Sequence, residues 1–224
     1  MINGVRLKVC GITSLVDAEA ADAVGADYLG FIFYPKSPRN VTPAQFAAMK
    51  DRLPPRRKVA VLVEPGLTEL DPVLRAGFDF IQIHFKTNTP LALLREWNEL
   101  IGPVRLWLVP KLEPAADVSP TLLPLAETFL LDTFHPEKFG GTGETGDWAK
   151  FKRHREAHPH KTWVLAGGLK PDNVAAAIAA TGARFVDVVS GVEQAPGVKS
   201  PEKLKAFVLA LHNATKQDNP SYRS

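Results

Sequence analysis

Residues 162–191 read TWVLAGGLKPDNVAAAIAATGARFVDVVSG. The stretch holds two short apolar runs, TWVLA (162–166) and RFVDVV (184–189), and each gives way to a pair of small residues, Gly167-Gly168 and Ser190-Gly191. Between them, Lys170-Pro171 supplies a proline, a residue suited to the first turn of a helix, where its missing N–H costs nothing. Strand, turn, helix and second strand make a βαβ unit, whose two strands run parallel. Outward from this stretch the same pattern recurs. Further apolar runs are VRLKVC (5–10), DYLGFIF (27–33), KVAVLV (58–63), DFIQIH (79–84), VRLWLV (104–109) and TFLLD (128–132). They are nearly continuous rather than alternating, as expected of parallel strands covered on both faces. Eight strands in 224 residues is one every ~28 residues, the size of one βα unit. Strict alternation of strand and helix predicts a parallel sheet, and eight units favour a closed barrel over a doubly wound sheet. The expected fold is therefore α/β, a single (β/α)8 TIM barrel over residues 1–214, followed by a polar tail, 215–224, that frays.

The intervening segments carry helical spacing. Val16, Ala20, Ala23 and Val24 share one face, as do Leu93, Trp97, Leu100 and Ile101, and Leu204, Phe207, Val208 and Leu211. Four starts pair a hydroxyl cap with proline: Thr42-Pro43, Thr89-Pro90, Ser119-Pro120 and Ser200-Pro201. The fifth helix, about 119–126, is short and weak.

The totals narrow the class. A hydrophobic share of 45% with 23% charged residues is ordinary globular composition, and a chain of this length buries enough surface to need no disulfide or metal. The lone cysteine, Cys10, rules out an intramolecular disulfide and fits a reducing cytoplasm. The start, MINGVRLKVCGIT, lacks the apolar core of a signal peptide, and no apolar run approaches the length of a membrane span. The charge balance of 27 cations against 24 anions leaves only +3. The basic clusters, Arg56-Arg57-Lys58 and KRHREAHPHK (152–161), are short and read as solvated faces. A nucleic-acid partner would need a basic, aromatic-bearing stripe, so neither nucleic acid nor membrane is expected.

In such a barrel the active site lies at the C-terminal ends of the strands. Those ends carry Cys10-Gly11, a long loop with Lys36 and Arg39, Glu64-Pro65, Gln82 and His84, Asp132, Ala166-Gly167-Gly168, and Ser190-Gly191-Val192-Glu193. The glycine and serine pairs after the last two strands fall where barrels bind phosphate through backbone N–H groups, since glycine allows close backbone approach. Cys10 has two open readings, a small buried core residue or a base or nucleophile; a free thiol titrates at about 8.5 and a base would need a nearby positive group. Asp132 is either a satisfied structural carboxylate or, with its pKa raised by burial, a general acid. Arg39 carries a planar fork suited to a carboxylate and could equally be a surface arginine. Gly141-Thr-Gly-Glu-Thr-Gly146 spells G-x-G-x-x-G, but it does not directly follow a strand and no acidic residue ends the next one, so it reads as a mobile lid rather than a dinucleotide site. His135, His154, His158 and His160 lack zinc-site spacing, and no metal site is expected.

Five collinear blocks give the chain a resemblance. KVCGIT (8–13), DYLGFIFYPKSPRNV (27–41), FGGTGETGDW (139–148), LAGGLKPDNVAAAI (165–178) and VDVVSGVEQAPGVKS (186–200) together resemble the phosphoribosylanthranilate isomerase family. The resemblance implies a small-molecule phosphosugar–anthranilate substrate and an Amadori rearrangement in tryptophan biosynthesis. It implies Cys10 as general base, Asp132 as general acid, Arg39 on the anthranilate carboxylate, and Gly167, Gly168, Ser190 and Gly191 at the phosphate, with His84 among the substrate-binding residues. No cofactor is implied, because the substrate nitrogen is itself the electron sink. Family members occur as monomers and homodimers. Two positions depart from the family pattern: Phe85 stands where a glycine would follow the strand-four histidine, and Gly146 where an aromatic would precede Asp147-Trp148. Phe85 is expected to crowd the mouth and Gly146 to loosen the lid. The competing readings are another phosphosugar barrel, which would lack the Cys10/Asp132/Arg39 set, and a phosphate-binding barrel without catalysis, which would lack an acid or a base.

Overall fold

Apolar runs alternate with helices along the chain, and their inward and outward faces decide how they close. The computed structural model describes residues 1–133 and 146–217. Eight parallel strands, β1 Arg6–Cys10, β2 Tyr28–Ile32, β3 Arg57–Val63, β4 Phe80–Lys86, β5 Leu106–Lys111, β6 Thr128–Leu131, β7 Thr162–Leu165 and β8 Phe185–Val188, form a closed barrel in sequence order. Closure is the β1–β8 ladder, with Arg6 opposite Phe185 and Lys8 opposite Asp187. Helices α1 Leu15–Ala23, α2 Pro43–Met49, α3 Leu67–Arg75, α4 Leu91–Ile101, α5 Trp148–Ala157, α6 Val174–Thr181 and α7 Pro201–Gln217 cover the outside. The weak fifth segment is a 3₁₀ turn, Pro120–Leu125, capped by Ser119. After β8 the chain makes another 3₁₀ turn, Ser190–Val192, and a hairpin of β9 Glu193–Ala195 and β10 Val198–Lys199. Helix α7 runs past position 214 to Gln217. Among the described residues, no helix is long and apolar enough to cross a membrane.

Strand periodicity of two splits every strand between two cores. Outward residues such as Leu7, Val9, Leu29, Phe31, Ile81, Ile83 and Phe85 pack under the helices. Inward residues fill the lumen, which in an eight-stranded barrel is just wide enough for side chains. At the N-terminal end they form an aromatic plug: Tyr28 stacks on Phe185 at 4.9 Å, Trp107 meets Phe80 at 5.1 Å and Phe185 edge-on at 5.4 Å. Arg6 sits 4.5 Å over the Phe185 ring and Arg57 5.7 Å over Tyr28. Arg57 is thus more than a solvated charge, because it caps the plug from below.

Several local expectations are corrected. Helix α1 buries Asp17, Ala18 and Ala21, while Val16 is 72% exposed. Its inward face is chosen by hydrogen bonds: the Asp17 carboxylate accepts from the Lys199 backbone N–H and from the Thr13 and Ser14 hydroxyls. In α4, Leu94 takes the buried place expected of Leu100, which is 53% exposed. Thr42 caps α2 through a full capping box with Gln45, and the Lys203 backbone N–H donates to the Ser200 hydroxyl at the start of α7. Thr89 caps nothing; its hydroxyl donates to Glu64 instead. His154, placed by sequence on a solvated face, is buried, stacked 5.2 Å from Trp163 and bonded to Asp117.

Candidate active site

Alternation along the strands brings Lys8 and Cys10 of β1, Gly30 of β2, Gln82 and His84 of β4, Asp132 after β6, and Asp187 of β8 into the upper lumen. A single cavity is lined by Cys10, Arg39, Gln82, His84, Asp132 and Asp187, with Tyr34 and Ser37 from the β2–α2 loop. A smaller recess beside it is lined by Gly167, Gly168, Leu169 and Ser190, and shares Asp132 and Asp187 with the first. The sequence-derived residues Cys10, Asp132, Arg39 and His84 therefore meet in one cavity, and Gly167, Gly168 and Ser190 meet in the next.

Asp132 leaves the end of β6 with its Oδ1 accepting from the Thr133 N–H at 2.8 Å. Burial pushes its carboxyl up to about 6; the Thr133 hydrogen bond opposes this and nearby Asp187 adds to it. Such a group can donate a proton near neutrality. His84 is held down to about 3, first by burial and then by Lys8, so its ring is neutral. Its Nε2 lies 2.8 Å from Gln82 Nε2, which makes Nε2 the acceptor and places the ring proton on Nδ1. Gln82 Oε1 is buried with no hydrogen-bond partner among the described residues, on a side chain that lines the cavity.

Arg39 is buried, and its Nε and Nη2 fork both oxygens of Glu193, at 2.9–3.2 and 2.8 Å. Glu193 also accepts from Lys199 Nζ at 2.9 Å and from the Gly197 N–H. Burial would raise Glu193, but the Arg39 and Lys199 hydrogen bonds outweigh it and hold the carboxyl below its ordinary range. Lys199 Nζ donates in turn to the Cys10 carbonyl at 2.6 Å, so one network ties the hairpin after β8 to the end of β1. Gly11, at φ 74°, is where the chain turns: a Cβ there would meet Arg39 Cδ at 2.8 Å. Arg39 is thus neither a surface arginine nor a freely swinging one.

The recess is built on close backbone approach. A Cβ on Gly167 would lie 2.1 Å from the Thr133 hydroxyl, and one on Gly191 would lie 2.0 Å from the Leu169 carbonyl. The Gly168 carbonyl accepts from Asn173 Nδ2 at 2.9 Å, which locks the turn, while the Gly168 N–H donates to no protein acceptor among the described residues. That is the backbone pattern an anion needs.

The departures from the family pattern read differently in three dimensions. Phe85 does not crowd the mouth; it follows inward His84, points outward, and packs edge-on against Trp97 of α4 at 6.1 Å. Gly146 lies beside β7, where a Cβ would come 3.0 Å from the Ala166 carbonyl. The rest of the glycine-rich stretch, with His135, lies outside the described residues.

Lys8 and Asp187 were missed by sequence reasoning. Lys8 Nζ is fully buried, 3.0 Å from Asp187 Oδ1, and stays protonated: burial pulls it down, but Asp187 and Cys10 outweigh that and leave it above the ordinary lysine value. A signal was present, since VRLKVC and RFVDVV each place one charge at an inward position of an apolar strand, and two opposite buried charges must find each other.

Fold and site define a (β/α)8-barrel acid–base enzyme, with a buried thiol and a carboxyl raised to about 6 on one cavity beside a glycine-walled recess. The comparisons with known proteins agree in class and narrow it. The family model described as N-(5'phosphoribosyl)anthranilate (PRA) isomerase matches residues 7–210. The N-(5'-phosphoribosyl)anthranilate isomerase of Magnetococcus marinus is 39% identical over 213 residues, covering 94% of this chain and 96% of that one. The phosphoribosyl anthranilate isomerase structure from Thermus thermophilus superposes with a TM-score of 0.77 at 31% identity, over 93% of this chain and 99% of the other. A phosphoribosyl anthranilate isomerase in complex with reduced 1-(o-carboxyphenylamino)-1-deoxyribulose 5-phosphate matches with a TM-score of 0.70 at 32% identity, over 93% and 99%. This chain belongs to the N-(5'-phosphoribosyl)anthranilate isomerase family.

Proposed function

We propose that this protein converts N-(5'-phosphoribosyl)anthranilate to 1-(2-carboxyphenylamino)-1-deoxyribulose 5-phosphate, the Amadori rearrangement of tryptophan biosynthesis. One observation carries the reading: a carboxyl raised to about 6 and the chain's lone thiol line the same cavity. Asp132 protonates the furanose ring oxygen as its bond to C1' breaks, leaving an iminium between C1' and the anthranilate nitrogen. Cys10, as thiolate, takes the C2' proton; the C2'–H electrons form the C1'–C2' double bond, and the iminium electrons return to nitrogen. The resulting enolamine tautomerises to the ketose. Arg39 meets the anthranilate carboxylate with the guanidinium N–H groups left over from Glu193, a charge-assisted contact whose fork is already oriented. Gly167, Gly168, Ser190 and Gly191 hold the phosphate in the recess, and neutral His84 sits on the substrate between the two ends. Acid and base act from opposite sides of a bound substrate, so positioning contributes along with proton transfer.

The test follows loss of substrate fluorescence, with phosphoribosylanthranilate made in situ from anthranilate and phosphoribosyl pyrophosphate. Wild type is expected to consume it well above the spontaneous rate and Cys10→Ala to fall to near that background. A wild type at background would overturn the reading in favour of another phosphosugar substrate; an active Cys10→Ala would remove only the thiol from it.

A further inference from the structure

We propose that Lys8, anchored by Asp187, is the counter-charge that keeps Cys10 available as a thiolate base. The inference rests on the base role proposed above for Cys10 and adds the group that sets its protonation. Lys8 precedes Cys10 by two residues on β1, so both side chains enter the lumen on the same side. Lys8 Nζ bonds Asp187 at 3.0 Å, and its charge acts on Cys10. Gly30, opposite Cys10 in the β1–β2 ladder, makes room for both heads: a Cβ there would stand 2.6 Å from Cys10 Sγ and 3.0 Å from Lys8 Nζ. The lumen thus omits one side chain at the point where ammonium and thiol meet.

Packing alone does not call for this arrangement. A buried ion pair is commonly no more stabilising than apolar residues of the same volume, because both charges must be stripped of water. A methionine with an apolar partner would fill the same layer, whereas an ammonium against sulfur does something a methionine cannot: it stabilises the thiolate.

The charged and titratable groups facing Cys10 come from every side. Lys8 and Asp187 lie below, Lys199 of β10 binds its carbonyl, and Asp132, His84 and Arg39 share its cavity. Burial pushes the thiol above its ordinary value and Asp187 adds to the rise; Lys8 is the strongest influence opposing it, ahead of Lys199, and limits how far the thiolate is disfavoured. Neutral His84 contributes no charge at working pH. Lys8 is fully buried and does not line the Cys10 cavity, so it acts through Cys10 and is a positioning residue rather than a catalytic one.

Because Cys10 is the sole cysteine, its thiolate can be titrated by absorbance at 240 nm, with Cys10→Ser as the blank. In Lys8→Met the thiolate midpoint is expected to rise by about one to two pH units, the range for losing an opposite charge at contact. The mutant-to-wild-type ratio of kcat should follow it: turnover at pH 7 falls about tenfold to a hundredfold, and the ratio returns toward one above both midpoints. Lys8→Arg, which keeps the charge, should hold the midpoint near wild type. A midpoint that stays put in Lys8→Met, or a turnover loss equal at every pH, would overturn the proposal. If Lys8→Met fails to fold because Asp187 is stranded, Lys8→Met/Asp187→Asn removes both charges. Its midpoint should still rise, because the cation is the stronger influence on sulfur, and an unmoved midpoint there overturns the proposal equally. The titration needs no substrate, so failure of the base reading, seen as an active Cys10→Ala, is distinguishable from failure of this one.

Discussion

The two ends of the barrel lumen are made by the same eight strands in the same inward–outward alternation, yet they are chemically opposite. At the N-terminal end, Tyr28, Phe80, Trp107 and Phe185 interlock with ring centroids 4.9–5.8 Å apart, and Arg6 and Arg57 lie against their faces. Two residues further along, the same strands carry Lys8, Gly30, Gln82 and Asp187, and beyond these Cys10, His84 and Asp132. The lower end is where apolar area leaves water with little polar cost, and it holds the strands in register. The upper end keeps charges in a low-dielectric space, where their interactions are strong and their pKa values move. One end can be stable because the other is not asked to be.

The comparison breaks most visibly at Asp132. Asp132→Asn removes the proposed proton donor while keeping its shape, so kcat should fall by about 10²–10⁴-fold in the fluorescence assay; near-normal turnover would end its assignment as the acid. In wild type, kcat should stop rising as pH passes about 6, where loss of protonated Asp132 offsets the gain in Cys10 thiolate. Stability should move the other way on mutation. The folded pKa lies above the ordinary carboxylate value, so folding favours the protonated form, and the fold loses stability as pH climbs from about 4 through about 6. Asparagine removes that penalty, about 2 kcal/mol after allowing for partial exposure, so Tm at pH 7 should rise about 4–8 °C. A lower Tm would show that the carboxylate is a structural asset.

At the opposite end the signs reverse. Phe185→Ala opens the aromatic plug and should cost about 3–5 kcal/mol in urea unfolding, with kcat per folded molecule nearly unchanged. A kcat loss in the folded fraction would show that the plug and the mouth are mechanically coupled. The smallest effect sits at the rim. Glu193→Gln weakens the fork that aims Arg39, and a charge-assisted bond contributes about 1.5–3 kcal/mol, so KM should rise about tenfold with kcat little altered. Equal losses in kcat would mean that the Glu193–Lys199 network also supports Cys10 through its carbonyl.

Much of this was legible before the fold was known. The eight strands follow from apolar runs at barrel spacing, and each one is present within a few residues of its expected limits. The site list was readable because strand ends in a barrel converge by topology. The errors cluster where an apolar count meets a specific polar partner. Val16 and Ala23 have the spacing of a buried face, but Asp17 has hydrogen bonds to make with Thr13, Ser14 and Lys199, and these rotate α1. Phe85 looked obstructive only while its side of β4 was unassigned; inward His84 forces it outward.

Local period and chain order were enough to set the alternation of strand and helix, the closed barrel, and the gathering of Cys10, Arg39, His84, Asp132 and the glycine pairs at one end. Which charges meet is settled by long-range packing instead. Lys8 and Asp187 are 179 residues apart, and Arg39 and Glu193 are 154 apart; no local pattern couples them. The first pairing follows from barrel closure, which sets β1 against β8 and brings the buried cation to the carboxylate across the ladder.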